Sequence, residues 1–188
     1  MGDDDAATFR AQLDAMIGRP LGGRGPSRGP DPVNQAMIRH WAAAFDDADP
    51  VYTDPERAAA SRFGAIVAPP AMLQTWALPT PVLEGIAERG GSPTELSEDS
   101  PLTVFDQRGF TGTLAVDSEI EIERYLHLGE VVSSDTVMES ISDEKQTRLG
   151  RGHFVTWVST YRDDAGEVVG RQRFRVLKFR PTDAGGDA

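Results

Sequence analysis

Period-two alternation through the C-terminal half of the chain constrains its fold more than any other feature. Ile120 and Ile122 alternate with Glu119, Glu121 and Glu123. Val131 to Ile141, His153 to Tyr161 and Glu167 to Phe179 follow, divided by Gly129-Glu130, Gly150 to Gly152 and Asp163-Asp164-Ala165-Gly166. Alternation divided by turn residues describes strands, and their succession predicts an antiparallel meander. The N-terminal half reads as helices. Asp5 stands where it can cap a short helix running through Met16-Ile17, and Asn34 offers an N-cap to a second. In that second helix Met37, Ile38, Trp41 and Phe45 recur at helical spacing, leaving Gln35 and Arg39 outward. Asp54-Pro55 opens a third, whose Ala58, Ala59 and Ala60 suit close packing. From Ala71, the residues Met72, Leu73, Trp76, Ala77 and Leu78 surround almost every side of a helix that Pro79 and Pro81 must stop, which predicts a helix buried all round. Helices followed by long consecutive strands give an α+β fold with a long antiparallel sheet wrapped around a central helix.

The 188 residues suit one domain over positions 1–188, with an N-terminal helix and Gly/Pro-rich loop over 1–32 and a flexible tail over 182–188. Residues 18–32 contain five Gly and four Pro, so that stretch is expected as loop or sheet edge. A formal charge of −11 argues against nucleic acid and anionic membranes as partners, since both require a basic surface. The absence of Cys removes disulfides, thiolate zinc sites and a thiol nucleophile, and fits a cytoplasmic location. Met1-Gly2-Asp3-Asp4-Asp5 lacks the basic and apolar regions of a signal peptide. The apolar run from Phe63 to Leu73 is interrupted by Pro69-Pro70 and is far shorter than the roughly 20 residues that cross a bilayer.

Two apparent motifs carry no chemistry. Gly25-Pro26-Ser27-Arg28-Gly29 matches the nucleophile elbow G-x-S-x-G, but Pro26, Pro30 and Pro32 forbid the strand before it and the helix after it. Asp46, Asp47, Asp49 and Asp54 suggest calcium, yet Pro50 and Val51 replace the turn an EF-hand loop requires, so capping and turn roles are expected and no metal site is assigned.

The stretch Phe45-Asp46-Asp47-Ala48-Asp49-Pro50-Val51-Tyr52-Thr53-Asp54-Pro55, running on to Ala68-Pro69-Pro70, resembles the MaoC-like enoyl-CoA hydratases, a hot-dog-fold family whose motif is G-D-x-N-P-x-H followed by a D-P dipeptide and an A-H-G-M segment. The resemblance places Asp47 on the catalytic Asp, Asp49 on the Asn, Pro50 on the Pro, Tyr52 on the catalytic His and Pro70 on the Gly whose N–H polarises the thioester carbonyl. Tyr52 and Pro70 are losses of chemistry. A phenol with a pKa near 10 is a poor base at neutral pH, and proline has no N–H. Ile66 to Met72, Arg108-Gly109-Phe110-Thr111 and Phe174 to Pro181 are similar to the larger MaoC-domain subunit of heteromeric steroid side-chain hydratases.

That resemblance implies a non-catalytic, pocket-forming subunit of a lyase that adds water to a steroid side-chain enoyl-CoA in cholesterol catabolism. The partner is then a catalytic hot-dog subunit supplying Asp and His, in a heterotetramer. An acyl-CoA substrate, an acyl-CoA-binding domain and a downstream aldolase complete the implied partners. Coenzyme A enters as part of the substrate, and no cofactor is expected. Ala71, Met72 and Trp76 are the candidate substrate-binding residues, with core packing as the competing role for Met72 and Trp76. The alternatives are a homodimeric acyl-thioester-binding or scaffold protein and a homomeric enzyme using Asp47 with Tyr52. His40, His127 and His153 are read as structural. Arg171, Arg173, Arg175, Lys178 and Arg180 could hold a CoA diphosphate, but change of face between Arg175 and Lys178 favours cross-strand pairing with Glu119, Glu121 and Glu123.

Overall fold

The β-branched and aromatic runs of the C-terminal half pair into one six-stranded antiparallel sheet. The computed structural model describes residues 3–21, 25–87 and 100–181. The Gly90-Gly91-Ser92-Pro93 loop and the expected tail at 182–188 lie outside them. The strands are β1 (Ser27–Arg28), β2 (Gly112–Ile122), β3 (Ser133–Ile141), β4 (Lys145–Thr147), β5 (Gly150–Arg162) and β6 (Val168–Phe179), in the order β1-β3-β5-β6-β2 with β4 on β5. Bulges interrupt β2 between Ala115 and Asp117 and β3 between Met138 and Ser140.

This order corrects the expected meander, which holds only for β3, β5 and β6. β2 pairs with β6, the last strand, and residues 123–132 carry the chain across to the far side of the sheet. Gly129-Glu130 is therefore not a hairpin turn. The crossing segment is bound to the helical layer instead: Ala68 N–H donates to Leu126, Val33 N–H to Glu130 and Gly29 N–H to Val132, each at 2.8 Å. Arg124 ties its two ends, bonding Glu130 at 2.8 Å and Asp163 at 2.6 Å.

The helices are α1 (Asp3–Asp14), α2 (Gln35–Ala44), α3 (Pro55–Ala60) and α4 (Pro101–Gln107), with 3-10 helices at Pro50–Tyr52 and Pro70–Ala77. Asn34 caps α2 as expected, accepting from Met37 N–H. Asp5 lies inside α1 rather than at its cap, and pairs with Arg108 at 2.6 Å. Only Ala58 of the three alanines is buried. The Pro70–Ala77 helix is not buried all round. Met72, Leu73, Trp76 and Ala77 face inward, while Ala71, Gln74 and Leu78 are exposed. It lies directly on β6 because Gly170 offers no side chain there; a Cβ at that position would stand 2.7 Å from Leu73 Cδ2.

Two apolar clusters divide the concave face of the sheet. One gathers Ile38, Tyr52, Val67, Met72, Trp76 and Tyr161 beneath the Pro70–Ala77 helix. The other packs Phe9 and Leu13 of α1 and Phe105 of α4 against Val155 and Val176. Each fully buried Leu, Val or Phe contributes on the order of 1.5–3 kcal/mol, so both ends of the sheet are firmly covered. No helix among the described residues is long and apolar enough to cross a membrane.

Candidate functional site

The acidic turn after α2 is built by its own carboxylates. Asp46 adopts φ 52°, a left-handed conformation that Asp tolerates, and Asp47 N–H returns to Ala42 at 2.9 Å to close the helix. Asp47 then accepts from Asp49 N–H, Asp49 from Val51 N–H, and Asp54 from Glu56 and Arg57 N–H at 3.0–3.1 Å. These are turn and cap bonds of the kind expected for Asp beside Pro. Among the described residues no group of three or more His, Asp or Glu is arranged to hold a metal ion.

Tyr52 turns inward from this rim and is 8% exposed. Its backbone carbonyl accepts from Gln35 Nε2 at 2.8 Å, which fixes the 3-10 turn against α2. Burial pushes the phenol pKa up, and the negative charge of Asp47, with smaller contributions from Tyr125 and Asp49, pushes it further. The side chain at the position matched to the family's histidine is thus neutral at pH 7 and further from being a base than free tyrosine. Asp47 does lie close enough for its charge to act on Tyr52, and that charge holds the phenol in its neutral form.

Pro70 opens the second 3-10 helix and lines a crevice with Ala68, Pro69, Leu73, Ile122, Arg124 and Tyr125. Tyr125, which also acts on Tyr52, packs on Phe63 at 4.7 Å. The crevice and the acidic turn therefore meet around Tyr125. Ala71 is exposed beside Pro70, whereas Met72 and Trp76 belong to the core cluster. The Trp76 indole N–H is buried without a hydrogen-bond partner among the described residues.

The histidines are accounted for elsewhere. His40 is exposed on α2, and His127 Nδ1 lies 3.3 Å from the Ile66 carbonyl. His153 is buried among Phe9, Phe105 and Phe110 with Nδ1 2.9 Å from the Ser142 carbonyl. Desolvation lowers its pKa. Ser27 of the elbow-like motif sits on β1 facing Ser134 across 3.2 Å. The basic residues pair across strands: Arg171 with Glu123 at 2.6 Å and Glu121 at 3.7 Å, Arg175 with Asp117 at 3.4 Å. Arg173 chooses Glu139 on β3 over Glu119 opposite it on β2, and Lys178, on the other face, is buried against Asp106.

One polar feature was missed by reasoning from sequence. Tyr161, Gln172 and Ser118 form a hydrogen-bonded row across the concave face between the two apolar clusters, with the Thr136–Ser159 hydroxyl pair beside it. The alternation already puts Ser159 and Tyr161 on one face of β5. Only the register brings Gln172 and Ser118 to them.

Residues 15–172 match the family model described as FAS1-like, dehydratase domain region. The chain is 44% identical over 174 residues to a probable enoyl-CoA hydratase alpha subunit of Thermomonospora curvata, covering 92% of this chain and 52% of that protein. It is 36% identical over 151 residues to the 3-oxo-4,17-pregnadiene-20-carboxyl-CoA hydratase alpha subunit of Mycobacterium tuberculosis, covering 80% and 46%. The chain thus spans about half the length of these curated relatives. The crystal structure of the ChsH1-ChsH2 complex from Mycobacterium tuberculosis superposes with a TM-score of 0.77 at 33% identity, over 98% of this chain and 96% of that one. A MaoC-like dehydratase from Rhodospirillum rubrum, at 20% identity and a TM-score of 0.57 over 90% and 96% of the two chains, shares the fold.

Proposed function

The chain belongs to the FAS1-like dehydratases, a MaoC-like family of hot-dog fold, and from that premise we propose that it is the pocket-forming, non-catalytic subunit of a heteromeric enoyl-CoA hydratase. The observation that carries this reading is Tyr52. Water addition across an enoyl thioester requires one group to take a proton from water and another to deliver one to the α-carbon. A buried phenol whose pKa is raised by its surroundings does not take that proton at neutral pH. Pro70, at the position where an N–H would polarise the thioester carbonyl, has no N–H to stabilise the negative charge that develops on that oxygen.

The two α-subunit relatives support a partner chain that supplies the missing groups, and the name of the mycobacterial relative supports a steroid side-chain enoyl-CoA as substrate. The edge of β2, unpaired among the described residues, supports sheet-to-sheet pairing with that second hot dog. The proposed assembly is a cytoplasmic heterotetramer of the lyase class serving sterol breakdown. In this arrangement the catalytic Asp and His come from the partner. This chain's concave face shapes the room for the acyl group.

The test is reconstitution. The pure chain should hydrate no enoyl-CoA, and a second hot-dog chain carrying an intact Asp–His pair should restore turnover on a steroid enoyl-CoA. Asp47→Ala in this chain should leave the restored rate within about twofold. Turnover by the chain alone, abolished in Asp47→Ala, would overturn the assignment in favour of a homomeric enzyme.

A further inference from the structure

The polar row on the concave face has a direction. Thr136 on β3 lies 2.8 Å from the Ser159 hydroxyl on β5, beside the inner end of the row. Tyr161 O–H donates to Gln172 Oε1 on β6 at 2.9 Å. That contact holds the amide with its oxygen toward Tyr161 and its NH2 outward, where Nε2 donates to Ser118 Oγ on β2 at 2.9 Å. Each link spends a donor on the next, across three strands. Ser118 receives a bond and its own O–H is left unspent among the described residues, at the one exposed end of the row.

Core packing alone does not call for such a row, because apolar residues would join the two clusters without any polar desolvation. Around its open end the surface combines Gln74, whose Oε1 lies 3.5 Å from Gln172 Nε2, with apolar side chains. Ile120 is exposed two residues along β2, and Trp157 and Phe174, half-buried with ring centroids 5.3 Å apart, form the adjoining floor. A pre-oriented donor on an apolar and aromatic platform fits a bulky hydrocarbon bearing one acceptor oxygen.

We infer that Ser118, oriented by Gln172 and Tyr161, binds a carbonyl oxygen on the ring system of the acyl group, so that the complex selects keto-bearing polycyclic acyl-CoA over the plain hydrocarbon. This deepens the enoyl-CoA reading above and rests on it. Ser118 makes the contact; Gln172 and Tyr161 are positioning residues.

The test measures equilibrium binding to the complex of this chain with its hot-dog partner. The probes are two acyl-CoA thioesters saturated at the reacting carbons, one with a ring ketone and one with a methylene in its place. The ketone is expected to bind about tenfold tighter, the scale of one well-placed hydrogen bond. Ser118→Ala should bring the ketone down to the affinity of its methylene twin, and Ser118→Thr should keep the preference. Tyr161→Phe, which frees the amide to turn, should cut the preference to about threefold. Equal affinity of the two ligands for the wild-type complex, or a preference that survives Ser118→Ala, overturns the inference. Turnover of the corresponding enoyl-CoA, measured separately, reports on the hydratase reading, so either can fail without the other.

Discussion

The two edges of the sheet are treated in opposite ways. Along the outer side of β3 the Gly/Pro-rich segment runs as a cover: Gly18 N–H donates to Met138, Met138 N–H to Arg19, Pro20 bridges Val137, and Ser27–Arg28 pair with Ser133 and Ser134. Along the outer side of β2 nothing pairs over its eleven residues among those described, and Leu114 and Val116 are 47% and 44% exposed. Uncovered strand edges recruit other strands, and proteins cover or charge those they do not use. The contrast shows that the stretch of glycines and prolines expected as loop or sheet edge serves, over its described residues, as a fitted edge cap, and that the other edge is left unpaired among the described residues.

The largest effect should come from charging the open edge. Leu114→Lys with Val116→Asp is expected to weaken assembly with the hot-dog partner by roughly 100-fold or more, measured by ultracentrifugation, while the isolated chain keeps its melting temperature within a few degrees. Partner binding that survives this pair but is lost in Ser27→Glu with Arg28→Glu would reverse the contrast. The covered edge is sharpened by Gly29→Ala. A Cβ at Gly29 would stand 1.9 Å from the Trp76 carbonyl oxygen, so the cap must lift away from the Pro70–Ala77 helix, at a cost of about 2–4 kcal/mol in denaturant unfolding.

A smaller, pH-gated effect belongs to His153, which holds the end of β3 through Ser142. With Nδ1–H donated to that carbonyl, protonation must place charge on Nε2 among three phenylalanines, near Arg10 and Arg180 and opposed by Glu144. Its folded pKa lies below 6.5, so its contribution is fully present above that pH and is lost as pH falls toward the lowered value. Unfolding curves should therefore lose stability below about pH 6.5, and His153→Gln, which does not titrate, should flatten that slope. The smallest effect is Arg28→Ala. Its partner Asp164 is exposed, and losing that surface pair should cost at most about 0.5 kcal/mol.

Strand identity was legible from the alternation of residue types, which persists in β2 although residues 113–121 are exposed, whereas strand order was not. Period two states which side chains share a face and is silent about which strand lies alongside. The crossing segment 123–132, held by Arg124 and by bonds to Val33 and Ala68, looks in sequence like any turn-bearing connection. The Pro70–Ala77 helix is not buried all round because Leu78, one of the apolar residues that predicts it, is 50% exposed. At the site, Asp47 and Tyr52 stand five positions apart along one local turn, and their proximity could be read from the Asp-Pro pattern. The Ser118–Gln172 bond could not, since it joins residues 54 apart through a register that the β2 bulge itself displaces.

That bulge also decides how selective the open edge can be. A uniform strand is a ruler without marks, on which a second strand slides in steps of two residues and finds the same ladder each time. The extra residue between Ala115 and Asp117 breaks the repeat and locally increases the twist. A newcomer therefore meets two short ladders out of phase with each other, and only a strand with its own irregularity at the matching point can satisfy both. Runaway stacking of like upon like requires an unbroken template. β2 offers a keyed one, which lets an exposed, apolar edge persist in solution while it waits for a mate cut to the same notch.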